Sequence, residues 1–126
     1  VEALLREFGC RRVMVALDYR GGRVVVRGWT SPTDLGVLEA LEIFSSLGVR
    51  IFLLTDVGRD GMLIGPDLDG VREACRLGFD VVVGGGVCSV DDIVALRDAG
   101  AAGVVLGRSL YEGRVDLREA LSAVGG

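Results

Sequence analysis

Polar and glycine residues stand at the ends of four apolar runs in this sequence of 126 residues. Asp18 directly follows "VMVAL", and Thr55 directly follows "IFLL". A glycine triplet at 84–86 follows "VVV", and a Gly-Arg-Ser sequence at 107–109 follows "VVL". A carboxylate at the mouth of an apolar strand is a candidate for general acid–base chemistry, although the alternative for Asp18 is a surface loop residue or a partner of Arg20 or Arg23. A threonine hydroxyl there is suited to orienting a substrate, although it also serves to cap a loop.

Both glycine-containing loops are suited to binding an anion. The backbone N–H groups of Gly85 and Gly86 are free to approach a phosphate closely, and Ser89 then opens a helix with its positive end nearby. Gly107 and Arg108 offer further N–H donors and a guanidinium. The alternative is that these glycines only form tight turns. No dinucleotide fingerprint is present, because Ser89 stands where a glycine is needed, and the chain has no Gly-Lys-Ser/Thr sequence.

The loop after Thr55, "DVGRDGM", adds two further carboxylates, those of Asp56 and Asp60. Asp60 is a candidate catalytic residue, although Asp-Gly is also an ordinary turn dipeptide. Asp56 has the alternative of a buried ion pair with Arg59. Trp29, the only tryptophan, has the alternatives of packing and of stacking on a planar substrate ring.

A repeated pattern of elements positions these residues. Four times a helix-like segment ends at a glycine (Gly9, Gly48, Gly78, Gly100) and an apolar, β-branched run follows, at 13–17, 51–54, 81–83 and 104–106. The runs do not alternate, so we expect both faces of the strands to be buried, as in a parallel sheet covered by helices. The carboxyl ends of parallel strands meet at one rim, which is where ligands bind in such folds.

The helical stripes between the runs complete the prediction of an α/β fold. Residues 31–34 (Ser-Pro-Thr-Asp) predict the start of the second helix, and Ser89 with Asp92 predicts another. The segment 21–29 fits either an extended strand or a β-loop. We predict a single (β/α)₄ half-barrel domain over 1–126, of the TIM-barrel type, with a preceding helix at 1–9 and units at 10–48, 49–78, 79–100 and 101–126. Because a closed barrel has eight such units and open edges invite pairing, we expect a second half.

Composition narrows the classes of partner. The net charge is -4 without a run of basic residues, so we expect neither a nucleic-acid nor a membrane partner. The three cysteines predict reduced thiols in a cytoplasmic protein, and the absence of histidine excludes a Cys/His metal site. We predict no metal and no cofactor. Because the first residue is not Met, the chain could be an excised piece of something longer.

Four segments together resemble the carboxyl-terminal half of the ProFAR isomerase family of histidine biosynthesis: "VALDYRGGRVVVRGW", "LLTDVGRDGMLIGPDL", "VVVGGGVCSVDDI" and "GVVLGRSLYEGR". The resemblance covers the chain from barrel helix four to helix eight. It implies a (β/α)₈ barrel and an Amadori rearrangement of a phosphorylated aminoaldose to an aminoketose.

The resemblance also implies roles for single residues. Asp18 matches the strand-five aspartate, the expected general acid. Thr55 matches a threonine that positions the substrate, and Asp60 matches the essential aspartate of the "DGT" loop. Trp29 matches a loop tryptophan that covers the substrate, and we place Arg23 with it as substrate-binding. The loops that hold one substrate phosphate are matched by Gly85, Gly86, Gly107 and Arg108.

Two departures from the family pattern affect the expected activity. "DGT" is "DGM" here, with Met62 in place of a threonine hydroxyl. The amino-terminal half, with the strand-one aspartate and the second phosphate site, is absent, so we expect weak or no activity of the chain alone. The alternatives left open are a non-catalytic phosphate-binding homodimer, half of the cyclase subunit of imidazole glycerol phosphate synthase, and a bifunctional relative that also isomerises phosphoribosyl anthranilate.

Overall fold

Five helices and five strands make up the described part of the chain. The computed structural model describes residues 2–9, 13–25, 34–58, 65–106, 113 and 115–123. In chain order the elements are α1 (Glu2–Phe8), β1 (Met14–Arg20), β2 (Arg23–Val24), α2 (Val37–Ser46), β3 (Ile51–Asp56), α3 (Leu68–Arg76), β4 (Asp80–Gly84), α4 (Val90–Asp98), β5 (Gly103–Val104) and α5 (Leu117–Ala123). None of the helices in these ranges is long and apolar enough to cross a lipid bilayer.

The strands form one sheet in the order β2-β1-β3-β4-β5. The neighbours β1–β3, β3–β4 and β4–β5 are parallel, and only β2 is antiparallel to its neighbour β1. Each parallel strand overlaps one of the predicted apolar runs and is followed by a helix in the described chain. The predicted α/β fold of the partial TIM-barrel type is therefore confirmed.

A short hairpin lies at the β1 edge of the sheet. Gly21 and Gly22 both have positive φ, 58° and 79°, which fits the two-residue turn that such a hairpin requires. After the turn, β2 pairs with only the last two residues of β1, Tyr19 and Arg20. Of the two alternatives for segment 21–29, its described part takes the form of a β-loop, and most of the β1 edge stays uncovered by it.

The start of the second helix differs from the prediction. Residues 31–33 lie outside the described residues, but α2 begins only at Val37, after Gly36, whose position as N-cap involves no side-chain bond. The prediction of a start at 31–34 is therefore wrong. The physical reason is that residues 35–36 pair with the hairpin: Val24 N–H donates to the Leu35 carbonyl at 2.8 Å, and Gly36 forms a bridge with Arg23.

The four glycines predicted to end helices all have left-handed backbone conformations, with φ between 82° and 106°. At the end of α2, Gly48 N–H donates to the Ser45 carbonyl and Val49 N–H donates to the Phe44 carbonyl. Helix α4 ends in the same way, with bonds from Gly100 and Ala101. This paired closure satisfies carbonyls that the helix itself leaves free, which confirms the glycine prediction.

Helices cover one face of the sheet. Leu17, Phe52, Leu54, Val81 and Val83 point to this covered face and are at most 8% exposed. They pack in one core with helix residues that include Leu41, Val71, Ala74, Ile93 and Leu96. Phe52 and Phe79 meet edge to face in this core, with ring centroids 5.3 Å apart.

The other face of the sheet, here called the open face, carries Met14, Ala16, Ile51, Leu53, Val82 and Val105. Met14 and Val105 are 48% and 51% exposed, and Leu53 and Val82 are half-buried. The prediction that both strand faces are buried is wrong for this chain by itself. The strands have the continuous apolar composition of a two-sided interior, but helices of this chain cover one side only.

Candidate functional site

Asp18, Thr55 and Gly84 form one row across the carboxyl ends of three neighbouring strands. Asp18 is the register partner of Thr55, and Thr55 is the register partner of Gly84. Because residues in register share a face, all three lie on the open face. Neighbouring strands lie about 5 Å apart, so the row spans roughly 10 Å. Asp18 is exposed, whereas Thr55 is half-buried and Gly84 is buried.

Apolar residues lie directly below this row. Ala16 pairs with Leu53, and Leu53 pairs with Val82, one register step down. The polar row thus lies above an otherwise apolar part of this face, and Arg20 follows Asp18 on the same face of β1. A substrate bound against it would contact a carboxylate and a hydroxyl at the edge of an apolar surface.

Thr55 and Gly84 are packed closely together. A Cβ atom added at Gly84 would lie 3.1 Å from the Thr55 Oγ1 atom and 3.9 Å from the Val105 Cβ atom. The Thr55 hydroxyl therefore lies over the backbone of β4, where a larger residue at position 84 would displace it. This contact explains why position 84, the first of the triplet, is occupied by glycine.

The two remaining glycines of the triplet adopt left-handed conformations. Gly85 and Gly86 have φ values of 82° and 80°. A Cβ atom at Gly85 would lie 2.9 Å from the Asp56 carbonyl oxygen, so only glycine fits this approach to the end of β3. The chain thus turns at the rim immediately beyond Thr55, as a loop that binds an anion through its backbone needs to do.

The start of α4 follows this turn, and Ser89 caps it as predicted, whereas the Asp92 carboxylate bonds Cys88, the residue before the cap. The Ser89 Oγ atom accepts a hydrogen bond from Asp92 N–H at 3.1 Å, and the Asp92 Oδ2 atom accepts from Cys88 N–H at 2.9 Å. The Cys88 thiol also donates to Asp92 Oδ2 at 3.0 Å. The first N–H groups of α4 have no partner within the helix, which is the usual reason for anion affinity at such a position.

Sequence reasoning missed a second group of polar residues, on the covered side of the same rim. Tyr19 is 3% exposed, and its hydroxyl donates to the Asp67 Oδ2 atom at 3.0 Å. Asp67 caps α3, because its Oδ1 atom accepts from Gly70 N–H at 3.1 Å. The signal that would have found Tyr19 is its position one residue after Asp18, which places it on the opposite face of β1.

Asp56 belongs to this covered side and not to the row. It is 8% exposed, and its Oδ1 atom accepts from Gly58 N–H at 3.0 Å. The predicted alternative of an ion pair with Arg59 falls outside the described residues. Asp56 closes a local turn after β3, whereas Thr55, one residue earlier, points to the open face.

The other predicted site residues divide into one that is described and four that are not. Arg23 lies on β2, and its Nη1 atom is 3.4 Å from the Asp34 Oδ1 atom in a solvent-exposed pair. The role of Arg23 in substrate binding stays a prediction. Four residues lie outside the described residues: Trp29, Asp60, Gly107 and Arg108.

The described geometry supports proton transfer beside an anion. A carboxylate, a hydroxyl and a left-handed glycine turn lie on one rim within about three strand widths. The carboxylate is at one end of the row and the glycine turn is at the other. A small substrate with a phosphate at one end would place its reacting atoms towards Asp18.

Comparisons with known proteins place the sequence of this chain in a family. The family model described as "Histidine biosynthesis protein" matches residues 1–116. A relative from Cenarchaeum symbiosum is 38% identical over 120 residues, which is 94% of this chain and 51% of the relative. It is named 1-(5-phosphoribosyl)-5-((5-phosphoribosylamino)methylideneamino) imidazole-4-carboxamide isomerase.

Two further relatives carry the same name. One from Symbiobacterium thermophilum is 43% identical over 119 residues, covering 94% of this chain and 48% of the relative. Another from Anaeromyxobacter dehalogenans is 46% identical over 111 residues, covering 87% of this chain and 47% of the relative. The chain therefore spans about half the length of the curated relatives it matches.

Proposed function

The chain belongs to the histidine biosynthesis protein family, and from this premise we propose that it forms one half of the active site of a sugar-phosphate isomerase. The reaction is the Amadori rearrangement of an N-linked aminoaldose, ProFAR, to the corresponding aminoketose. The names of the relatives favour this isomerase over the cyclase subunit of imidazole glycerol phosphate synthase. In this proposal residues 1–126 are one half-barrel domain, divided into a leading helix at 1–9 and the four units named above.

Asp18 is the general acid in this proposal. It gives a proton to the ribose ring oxygen while the bond from that oxygen to the anomeric carbon breaks, which leaves a protonated Schiff base. A general base then removes the proton from the adjacent carbon to give an enolamine. A proton returned to the former anomeric carbon, with loss of the proton from the hydroxyl group on the adjacent carbon, completes the aminoketose. Thr55 orients the sugar beside Asp18, and Asp60 takes part from the loop that follows β3.

The glycine turn supplies the phosphate site in this proposal. Gly85 and Gly86 present backbone N–H groups to one substrate phosphate, and Gly107 with Arg108 completes the cradle. Trp29 and Arg23 contact the remainder of the substrate. Support comes from the left-handed φ values of Gly85 and Gly86 and from the start of α4 beside them.

One observation carries the proposal: the register that aligns Asp18, Thr55 and Gly84 on the open face. An acid, a hydroxyl and a glycine turn follow one another across the rim, which suits a sugar with a phosphate at one end. The row lies at the carboxyl ends of parallel strands, which is where barrel enzymes carry their catalytic residues.

A second half-barrel is the partner in this proposal. The chain spans about half of its relatives, and its open face exposes Met14 and Val105. Proton donation and proton removal need two positioned groups, and the described residues of the row contain one carboxylate. Turnover by the chain alone is therefore weak or absent.

Complementation tests this function. The chain would be mixed with the separately produced amino-terminal half of a relative, and conversion of ProFAR would be measured over a range of ratios. We expect turnover in the mixture that exceeds the sum of the separate halves. No turnover at any ratio, from halves that associate, would contradict the proposal.

A second candidate is a phosphate-binding homodimer in which two copies close on each other. The observation that favours it is the apolar open face, which would be buried equally well by a second copy. Sedimentation of the chain alone separates the two: a monomer at micromolar concentration contradicts the homodimer. Two copies would also bring two Asp18 residues to one mouth, so weak isomerase activity of the dimer is the expected signature.

A further inference from the structure

Tyr19 makes contacts at both ends of the segment that joins β3 to α3. Its backbone carbonyl accepts from Val57 N–H at 2.8 Å, at the start of the segment. Its side-chain hydroxyl donates to the Asp67 Oδ2 atom at 3.0 Å, at the end of the segment. One residue of β1 therefore bonds both ends of segment 57–67.

Neighbouring bonds fix each of these ends further. At the start, Gly58 N–H donates to the Asp56 carboxylate at 3.0 Å, and Asp56 is the register partner of Tyr19. At the end, Asp67 caps α3 through Gly70 N–H, and Val71 N–H donates to the Asp67 carbonyl at 3.1 Å. The position of the Asp67 carboxylate thus sets where α3 begins relative to β1.

We propose that Tyr19 is a positioning residue of the isomerase site, holding both ends of segment 57–67 against the strand that carries Asp18. The proposal rests on the proposed function above, because Val57 and Asp67, the residues that Tyr19 bonds, stand on either side of Asp60 in the sequence. Tyr19 itself lies on the covered face, opposite to Asp18, so its hydroxyl does not reach a substrate on the open face.

The Tyr19–Asp67 bond has the features of an effective restraint. Tyr19 is 3% exposed, so water competes poorly for its hydroxyl. The acceptor is a carboxylate, and hydrogen bonds to charged groups are stronger than neutral ones. Removing the hydroxyl would leave the Asp67 Oδ2 atom without this donor while the covered face stays packed around the ring.

Amide hydrogen exchange on the chain as it stands tests the restraint. In Tyr19→Phe we expect exchange at Gly70 and Val71 to accelerate about tenfold, since Asp67, which accepts from both of these N–H groups, loses its bond to the Tyr19 hydroxyl. Exchange at Val81 and Val83 in the core of β4 should change less than about twofold, which shows that the fold is intact. Equal acceleration at all four amides would contradict a local role.

Variants of Asp67 provide the matched controls. Asp67→Asn should exchange like the wild type, because an amide still caps Gly70 and donates to the Tyr19 oxygen. Asp67→Ala should accelerate exchange at residues 70 and 71 at least as much as Tyr19→Phe, because it removes the bond to Tyr19 and the cap on Gly70 as well. Adding Tyr19→Phe to Asp67→Ala should then have no further effect, and a full second increment would overturn the proposal. If Tyr19→Phe does not fold, the difference in amide exchange rates between Asp67→Asn and Asp67→Ala decides whether the Tyr19–Asp67 bond restrains the segment.

Kinetics of the complemented enzyme separate positioning from stability. We expect Tyr19→Phe to lower kcat about tenfold and to change KM less than about threefold, because misplaced groups act on the reaction more than on binding. An unchanged kcat with accelerated exchange contradicts positioning. Absence of turnover in the wild type contradicts the proposed function instead, and the exchange results still decide whether Tyr19 restrains the segment.

Discussion

At the scale of single residues, the alternation of side chains along β1 places the candidate acid and the positioning residue on opposite faces of the sheet. Asp18 faces the open side with Thr55, whereas Tyr19 faces the covered side with Asp56. Neighbouring residues of a strand point in opposite directions, so one short stretch supplies both the candidate acid and the bond that holds the next loop. The two roles are testable separately for that reason.

Asp18→Asn is expected to abolish turnover in the complemented enzyme, by at least about 100-fold, because the amide has no proton to give at the ring oxygen. Binding of inorganic phosphate should stay within about twofold, since the glycine turn lies at the far end of the row. Turnover assays and calorimetric titration with phosphate measure the two effects. The control is Asp98→Asn, an exposed residue paired with Arg97, and turnover of Asp18→Asn near that control's level would contradict the assignment.

Gly85→Ala is expected to lower the free energy of unfolding by about 3 kcal/mol, since left-handed strain adds to a steric clash. The added Cβ atom would meet the Asp56 carbonyl oxygen at 2.9 Å. Gly9→Ala is the matched control: its φ is also 82°, but nothing lies within 4 Å of an added Cβ. We expect the free energy of unfolding of the control to fall by about 1 kcal/mol. Equal losses in urea unfolding would contradict the close approach at Gly85.

At the scale of elements, helix ends are determined by local bonds. Helix α4 begins with a side-chain cap and ends with a glycine closure, and both were predicted. Helix α2 begins with no side-chain cap, because the hairpin holds the residues before it. Pairing with the hairpin thus sets the start of α2, whereas a local side-chain cap sets the start of α4.

Ser89→Ala is expected to lower the free energy of unfolding by about 1 kcal/mol, because the N–H group of Asp92 loses its acceptor at the start of α4. It should also weaken phosphate binding, since the turn before α4 becomes less fixed. Ser46→Ala is the control, because its hydroxyl bonds the Ile43 carbonyl at an exposed helix end. Its expected loss is below about 0.5 kcal/mol. Urea unfolding of both variants decides the prediction.

Cys75 on α3 is expected to make the free energy of unfolding depend on pH. Burial, and then the nearby Asp80 carboxylate, raise the pKa of the Cys75 thiol above its ordinary value. The folded chain therefore holds this proton more tightly than the unfolded chain does. The corresponding stability is present below the ordinary thiol pKa of about 9 and is lost as pH rises through the higher folded pKa.

Cys75→Ala is the variant that isolates this titration. Measured between pH 7 and pH 10, the free energy of unfolding should fall more for the wild type than for Cys75→Ala. The other two cysteines are the same in both chains and cancel in the comparison. Parallel pH profiles would contradict the shifted thiol.

At the scale of the whole molecule, the main feature is the apolar open face of the sheet, which the helices of this chain leave exposed. Helices cover one side of the sheet and leave the other side to a second half-barrel in our proposal. The exposed apolar side chains also include Leu4 and Phe8 on α1 and Leu117 and Leu121 on α5, close to half exposed each. These lie on the first and last helices of the described chain, where a second half would adjoin.

Val105→Glu is expected to weaken association with the complementary half at least about tenfold, because it would bury an unpaired charge in the interface. Ile43→Glu is the matched control, since both side chains are β-branched and 51% exposed, but Ile43 lies on α2. We expect no change in association for the control. Sedimentation at several concentrations measures both, and similar association of the two variants would contradict burial of the open face.

The sequence by itself determined the elements and their order. The glycines that end helices, the apolar runs and the Ser89–Asp92 pair are local features, and local features are readable from spacing. The placement of Asp18 and Thr55 at strand ends was also readable, because parallel strands bring their carboxyl ends to one rim.

Only the tertiary structure decided how these residues pair across the sheet. Register aligned Asp18 with Thr55 and Gly84, and no single segment encodes register. The Tyr19–Asp67 bond joins residues 48 positions apart, and the hairpin moved the start of α2 to Val37. The open face had the same apolar composition as the covered one, so burial depended on which side the helices pack. Contacts distant in the chain depend on the geometry of the whole sheet, which residue types alone do not specify.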